Sequence, residues 1–202
     1  MTPSPPPVDE TDTPVPASQD PALPEFSYEL KVPKDRIAVL IGPQGKVKQE
    51  LEEQTKTSIK VDSKEGDVSL QGKDSLALFA LREVVKAIGR GFNPEIATLL
   101  LKQDYVIEIV NCNDYAQQKS HVQRLRGRVI GADGKARTTI EHVTETSIVV
   151  YGKTISIIGT TERAMLARRA VELLLEGSTH AAVYKWLEKN IKQFRKKEGL
   201  SF

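Results

Sequence analysis

The chain has 202 residues, 39% of them hydrophobic and 28% charged, and a net charge of +2, a composition that suits a globular protein of one medium or two small domains. No run is apolar enough to span a bilayer and the first residues carry no secretory pattern, so a cytoplasmic protein without a membrane partner is expected. Cys112 is the only cysteine, which excludes an internal disulfide.

Charge is unevenly distributed. Residues 1–25 hold five acids and no Lys or Arg, whereas the remaining 177 hold 29 basic and 22 acidic residues, a net +7. A basic body of this kind points to a polyanionic partner. Eight of the eleven prolines fall in residues 1–24, beside few large apolar side chains. Such a segment cannot bury enough surface to offset its ordering entropy, so residues 1–25 are expected to form a disordered, acidic, proline-rich tail.

From Phe26 the pattern tightens. Tyr28–Val32 alternates as a strand, Lys34–Ile41 reads as a short helix ending at Gly42, and Lys46–Thr55 reads as a second, with Val47 and Leu51 on one face. Thr57–Val61 and Asp67–Gln71 are strands around the turn residues Ser63–Gly66. Asp74 or Ser75 caps a long helix through Ile88, and Glu95–Lys102 adds a short helical segment. Tyr105–Val110 is a strand, His121–Ile130 and Lys135–Thr144 are helices, and Thr146–Val150 and Thr154–Ile158 are strands. Thr161–Glu176 is a long helix with Gly177 just past its end, and a last helix runs from about Thr179 to Lys197. Its stripe of Val183, Leu187, Ile191 and Phe194 is expected to pack on the body, leaving a basic end that includes Arg195, Lys196 and Lys197.

The order repeats. At an offset of 131 − 42 = 89, ten of 27 positions are identical between 36–62 and 125–151: Ile41, Gly42, Gly45, Lys46, Glu52, Thr55, Thr57, Ser58, Ile59 and Val61 in the first copy. So concentrated a match indicates two copies of one small fold, here bounded at 26–103 and 104–202.

Each copy carries Ile-Gly-x-x-Gly-Lys between two helices: Ile41, Gly42, Pro43, Gln44, Gly45 and Lys46, then Ile130, Gly131, Ala132, Asp133, Gly134 and Lys135. A helix N-terminus offers unpaired N–H groups and partial positive charge, and glycine leaves a phosphate room to approach. Other phosphate loops fit poorly. Leu40 and Val129 occupy positions where a P-loop or a dinucleotide fingerprint requires glycine, and Val47 and Ala136 replace the hydroxyl residue after the P-loop lysine.

Helix, Gly-x-x-Gly, helix, strand, strand and long helix, written twice over residues 26–177, resemble tandem KH domains of the eukaryotic (type I) arrangement. The resemblance implies an α+β fold. Each domain would be a three-stranded antiparallel sheet with three helices on one face, followed here by a C-terminal helix. It also implies that each loop clamps the backbone of about four single-stranded nucleotides. Ile41, Leu51 and Ile59, and in the second copy Ile130, Ile140 and Ile148, would line the base-facing groove, with Ile41 and Ile130 placed to touch a base. "VQRLRGRVIGADGKARTTIEHVTETSIVVYGKTISIIG" and "LLLEGSTHAAVYKWLE" resemble the archaeal branch of the Dim-two, or partner-of-Nob-one, family of ribosome-assembly factors. That resemblance implies a site near the 3′ end of small-subunit rRNA or its precursor, and a partner in the maturation endonuclease.

Residues 119–137 sum to +5, through Lys119, Arg124, Arg126, Arg128, Lys135 and Arg137 against Asp133. Residues 34–48 sum to +3, through Lys34, Arg36, Lys46 and Lys48 against Asp35, so the second copy is expected to hold the polynucleotide more tightly. No cation stands between the glycines of either loop, and no aromatic residue lies in them. His121, His142 and His180 are too scattered for a metal site, Cys112 reads as a semi-buried spectator, and no hydrolytic triad is visible, so neither cofactor nor catalysis is expected. Two alternatives stand beside RNA binding: a helix-turn-helix DNA-binding regulator, and a protein-docking scaffold built on degenerate KH folds.

Overall fold

The computed structural model describes residues 26–199, with side chains for all but 195–198. The expected tail at 1–25 and the side chains of Arg195, Lys196 and Lys197 therefore lie outside the described residues.

The first unit runs β1 (Phe26–Lys31), α1 (Lys34–Ile41), α2 (Lys46–Thr55), β2 (Ser58–Asp62), β3 (Asp67–Gly72) and α3 (Ser75–Gly89). Its sheet is antiparallel in the order β1-β3-β2, with Tyr28 opposite Leu70 and Ile59 opposite Leu70 from the other side. Alternation along the strands turns Ile59, Val68 and Leu70 towards the helices, where they meet Ile37, Leu40, Leu51, Leu78, Leu81 and Val84 in one core. Asp74 caps α3, its carboxylate accepting from the N–H groups of Leu76 and Ala77.

A connector follows. The segment expected to be helical over Glu95–Lys102 divides into a one-turn helix, α4 (Pro94–Ala97), and a 3₁₀ turn (Thr98–Leu101). The second unit then runs β4 (Tyr105–Asn111), α5 (Lys119–Ile130), α6 (Lys135–Thr144), β5 (Ser147–Tyr151), β6 (Thr154–Thr160) and α7 (Thr161–Leu175), with sheet order β4-β6-β5. The α+β architecture of two such units is as expected. Element boundaries shift by one or two residues: β1 begins at Phe26, α5 begins at Lys119, and Thr57 and Thr146 precede their strands. The last helix, α8 (His180–Gly199), packs on α6 and α7 through buried Val183, Leu187 and Ile191.

The two sheets are used differently. The outer face of the first, with Glu29, Lys31, Lys60 and Ser69, borders a shallow open cavity. The second is covered on both faces. Ile155 and Ile157 point into its own core, while Ile158 joins the core of the first unit, with Tyr105, Ile107 and Val149 packed alongside. Residues 154–159 are buried without interruption. Gly91 sits against this face at φ +102°, where an added Cβ would stand 2.9 Å from Val149 Cγ1. Arg90 Nη1 donates to Thr154 Oγ1 at 3.1 Å and Tyr151 OH donates to Asp35 Oδ2 at 2.7 Å, tying the units together.

Candidate nucleic-acid interface

Each Gly-x-x-Gly segment folds into a tight 3₁₀ turn between two helices, Pro43–Gly45 in the first unit and Ala132–Gly134 in the second. The backbone is the same in both. Gly42 and Gly131 have φ near +72° and +74°, Gln44 and Asp133 sit in the left-handed region at +54° and +52°, and Gly45 and Gly134 at +80° and +78°. The two glycines of each turn do different work. A Cβ on Gly42 would stand 2.4 Å from Val47 Cγ2, and one on Gly131 would stand 2.6 Å from Ala136 Cβ, so the first glycine lets the turn close onto the following helix. A Cβ on Gly45 or Gly134 would meet nothing within 4 Å. These positions face open space at the start of α2 and α6, ten-residue helices with no side-chain cap. No side chain competes for these helix starts, although the Lys46 and Lys135 N–H groups already donate to the turn carbonyls of Pro43 and Ala132. Pro43, Gln44, Ala132 and Asp133 are exposed.

Most of the flanking cations expected to meet phosphate have partners. Lys46 pairs with Glu50 at 3.7 Å, Lys48 with Glu52 at 3.4 Å, and Arg137 with Glu141 at 3.5 Å. Lys135 has Thr139 at i+4 instead of an acid, and the Thr139 hydroxyl donates to the Lys135 carbonyl at 2.8 Å. Among the described residues Lys135 has no ion pair, which makes it the least committed of the loop cations.

Arg128 corrects the sequence reading. Its Nε donates to Leu174 O at 3.1 Å and its Nη2 to Ser178 O at 2.6 Å, so the guanidinium caps the end of α7. Arg36 does the same in the first unit, donating to Ile88 O at 2.9 Å and Phe92 O at 2.6 Å, from a position one helical turn earlier in the aligned sequence. Arg124 shares this face of α5 and lines a cleft of about 450 Å³ with Tyr115, His121 and Arg128, away from the Gly-x-x-Gly turn. Burial, then the carboxylates of Glu172 and Glu176, push the Tyr115 phenol up. Arg124 and Arg128 thus share a face of α5 that looks toward α7.

Of the six aliphatic residues expected to line a groove, four are taken up by the cores. Leu51, Ile59, Ile140 and Ile148 are at most 1% exposed and belong to the cores, whereas Ile41 and Ile130 are half-buried beside the turns. Cys112 is fully buried rather than semi-buried, and desolvation pushes its thiol up. Among the described residues no group of three or more His, Cys, Asp and Glu side chains could hold a metal, and no helix is long and apolar enough to cross a membrane.

One exposed position was not anticipated. Gly127 lies within α5, and apart from its own turn of helix no atom lies within 4 Å of where its Cβ would be. A mid-helix glycine is unfavourable relative to alanine, and nothing internal requires this one. It is the kind of gap that admits a second backbone.

The KH domain family model matches residues 27–87, and the eukaryotic type KH domain (type I) model, in its PNO1 second-domain form, matches residues 106–192. KH domain-containing protein MJ0443 of Methanocaldococcus jannaschii is 44% identical over 83% of this chain and 75% of its own length. A chain of the a/eIF2alpha–aDim2p–rRNA complex of Pyrococcus horikoshii superposes with a TM-score of 0.78 at 43% identity, over 84% of this chain and 96% of that one. The chain belongs to the Dim2/PNO1 family of tandem KH-domain proteins. The Pre-rRNA-processing protein PNO1 of Candida albicans is 32% identical over 78% of this chain and 59% of its own length. In this Dim2/PNO1 member both Gly-x-x-Gly turns are intact.

Proposed function

We propose that this protein binds single-stranded RNA through its two Gly-x-x-Gly turns and acts in small-subunit ribosome assembly, near the 3′ end of the small-subunit rRNA. The observation that carries the reading is the open space at Gly45 and Gly134, over uncapped helix starts. A sugar-phosphate backbone can approach the positive end of each helix there without displacing a side chain. Lys46 and Lys135 would meet phosphates beside the turns, and Ile41 and Ile130 would touch bases. Pro43, Gln44, Ala132 and Asp133 would form the contact surface, with Lys48 and Arg137 contributing weaker, shared charge. The second turn would hold more tightly because Lys135 has no competing acid. The rRNA target and a maturation endonuclease as partner rest on family membership and on relatives described by pre-rRNA processing and by an rRNA complex. The proposed role is binding, without catalysis. The helix-turn-helix alternative gains nothing from a fold in which each helix pair is packed on a three-stranded sheet.

The test is anisotropy titration with a single strand of 3′-terminal small-subunit rRNA. The variant Ala132→Asp places a second carboxylate in the turn. It should weaken binding about tenfold, the loss of roughly 1.4 kcal/mol, without lowering the melting temperature. Affinity should fall with salt at a log–log slope of about −0.7 per phosphate contacted. Unchanged affinity in the variant, or preference for duplex DNA, would overturn the reading.

A further inference from the structure

A cleft of about 280 Å³ lies where the two units meet. Lys31 enters it from the end of β1, Lys86 and Arg90 from the end of α3, and Lys153 from the β5–β6 turn. No acidic side chain lines it. Lys31 pairs with Asp67 at 3.5 Å and Lys86 with Glu83 at 3.1 Å, but Arg90 and Lys153 have no ion pair among the described residues. Lys86 and Arg90 also offset the negative end of the α3 dipole, which explains two of the four cations. Lys31 and Lys153 have no such reason to converge there, since they come from different units. Tyr151 lines the same cleft. It is the aligned counterpart of Asp62, so only the second unit places a ring at this strand end.

The position matters as much as the charge. Strand β5 is an edge strand of the second sheet, joined to α6 by the bond from the Ile148 N–H to Glu141, and Tyr151 is its last residue. Because Tyr151 ends β5 and lines the cleft, a polynucleotide laid along β5 would reach it. Cations around an aromatic ring suit single-stranded nucleic acid, the charge meeting phosphate and the ring a base face. The walls are fixed by the Arg90–Thr154 and Tyr151–Asp35 hydrogen bonds.

We infer that this inter-unit cleft is a phosphate-binding site for single-stranded RNA, carrying the strand from the second unit towards the first. The inference rests on the RNA-binding reading above. The test compares two strands from the 3′ end of small-subunit rRNA. One is of about four nucleotides, enough for one Gly-x-x-Gly groove, and the other of about twelve. The double variant Lys86→Glu/Lys153→Glu should weaken the longer strand at least about tenfold and make its salt slope shallower by about 1.4, two phosphates' worth. It should leave the shorter strand's affinity unchanged. Lys185→Glu/Lys189→Glu on exposed α8 makes the same change in net charge and should leave both strands bound as before. Equal loss for the two strands, no loss for the longer one, or the same loss in the α8 variant overturns the cleft site. If the unaltered protein binds neither strand, the RNA-binding reading falls with it.

Discussion

Glu141 accepts a hydrogen bond from the Ile148 backbone N–H at 2.7 Å, and 89 positions earlier Glu52 accepts the same bond from Ile59 at 2.7 Å. Each glutamate sits on the helix after the turn and fastens the strand that follows. Thr144 and Thr55 add to it: each hydroxyl bonds a helix carbonyl at 2.7 Å and the hydroxyl of the threonine two residues on. Glu141→Ala should lower unfolding free energy by about 1–3 kcal/mol, because a partly buried N–H loses a charged acceptor. Glu141→Gln should recover part of that. Urea denaturation of the three proteins decides it; an Ala variant as stable as the parent would show that the bond contributes nothing.

The two glycines of one turn should respond in opposite ways. Gly131→Ala forces a Cβ to 2.7 Å from the Ala136 backbone N, at a positive φ, and should destabilise the fold by more than the roughly 1–2 kcal/mol of left-handed strain alone. Gly134→Ala carries only that strain, yet fills the open approach, so it should keep the fold and weaken RNA. Melting curves beside binding isotherms separate the two; similar profiles for both variants would refute the division of roles.

Gly127→Ala should raise stability by about 0.5–1 kcal/mol, since the helix gains a better former and the new methyl meets nothing. A strand lying across α5 would make the same change cost affinity. Stabilisation with full RNA affinity would place the strand elsewhere.

Arg128→Ala should destabilise by about 1–3 kcal/mol through the uncapped carbonyls of Leu174 and Ser178. Arg124→Ala should leave stability within about 0.5 kcal/mol, as for an exposed side chain outside such a network. Chemical denaturation of both variants checks this, and equal losses would remove the capping role.

Burial raises the Cys112 thiol above its usual range, so the folded protein should resist a thiol reagent that labels it quickly in urea. With the folded pKa above the unfolded one, this contribution is intact below the unfolded pKa and is lost as pH rises from there through the folded pKa. Cys112→Ser should flatten the alkaline fall of a melting-temperature profile; an unchanged slope would exclude the thiol as its source.

Much of the fold was legible because the chain writes it twice. The offset of 89 aligned Glu52 with Glu141 and Thr55 with Thr144, and periodicity placed every sheet strand to within two residues. The turns were legible because glycine spacing marks them directly. The fates of individual cations were not. Arg128 and Arg124 look alike in sequence, and only the end of α7, 46 residues away, decides that one becomes a cap. The burial of β6 on both faces was likewise hidden, since it depends on how the units pack. Ile158 joining the first core, and Lys31 and Lys153 lining one cleft, are consequences of that packing alone.

Because the fastening of helix to strand lies wholly outside the tetrapeptides that face solvent, those tetrapeptides are modular. Exchanging Gly-Pro-Gln-Gly for Gly-Ala-Asp-Gly between halves should leave both scaffolds standing, because the glycines are kept and the exchanged residues, Pro43, Gln44, Ala132 and Asp133, are exposed. One half can therefore drift in ligand preference while its sibling, and the architecture of both, stays put.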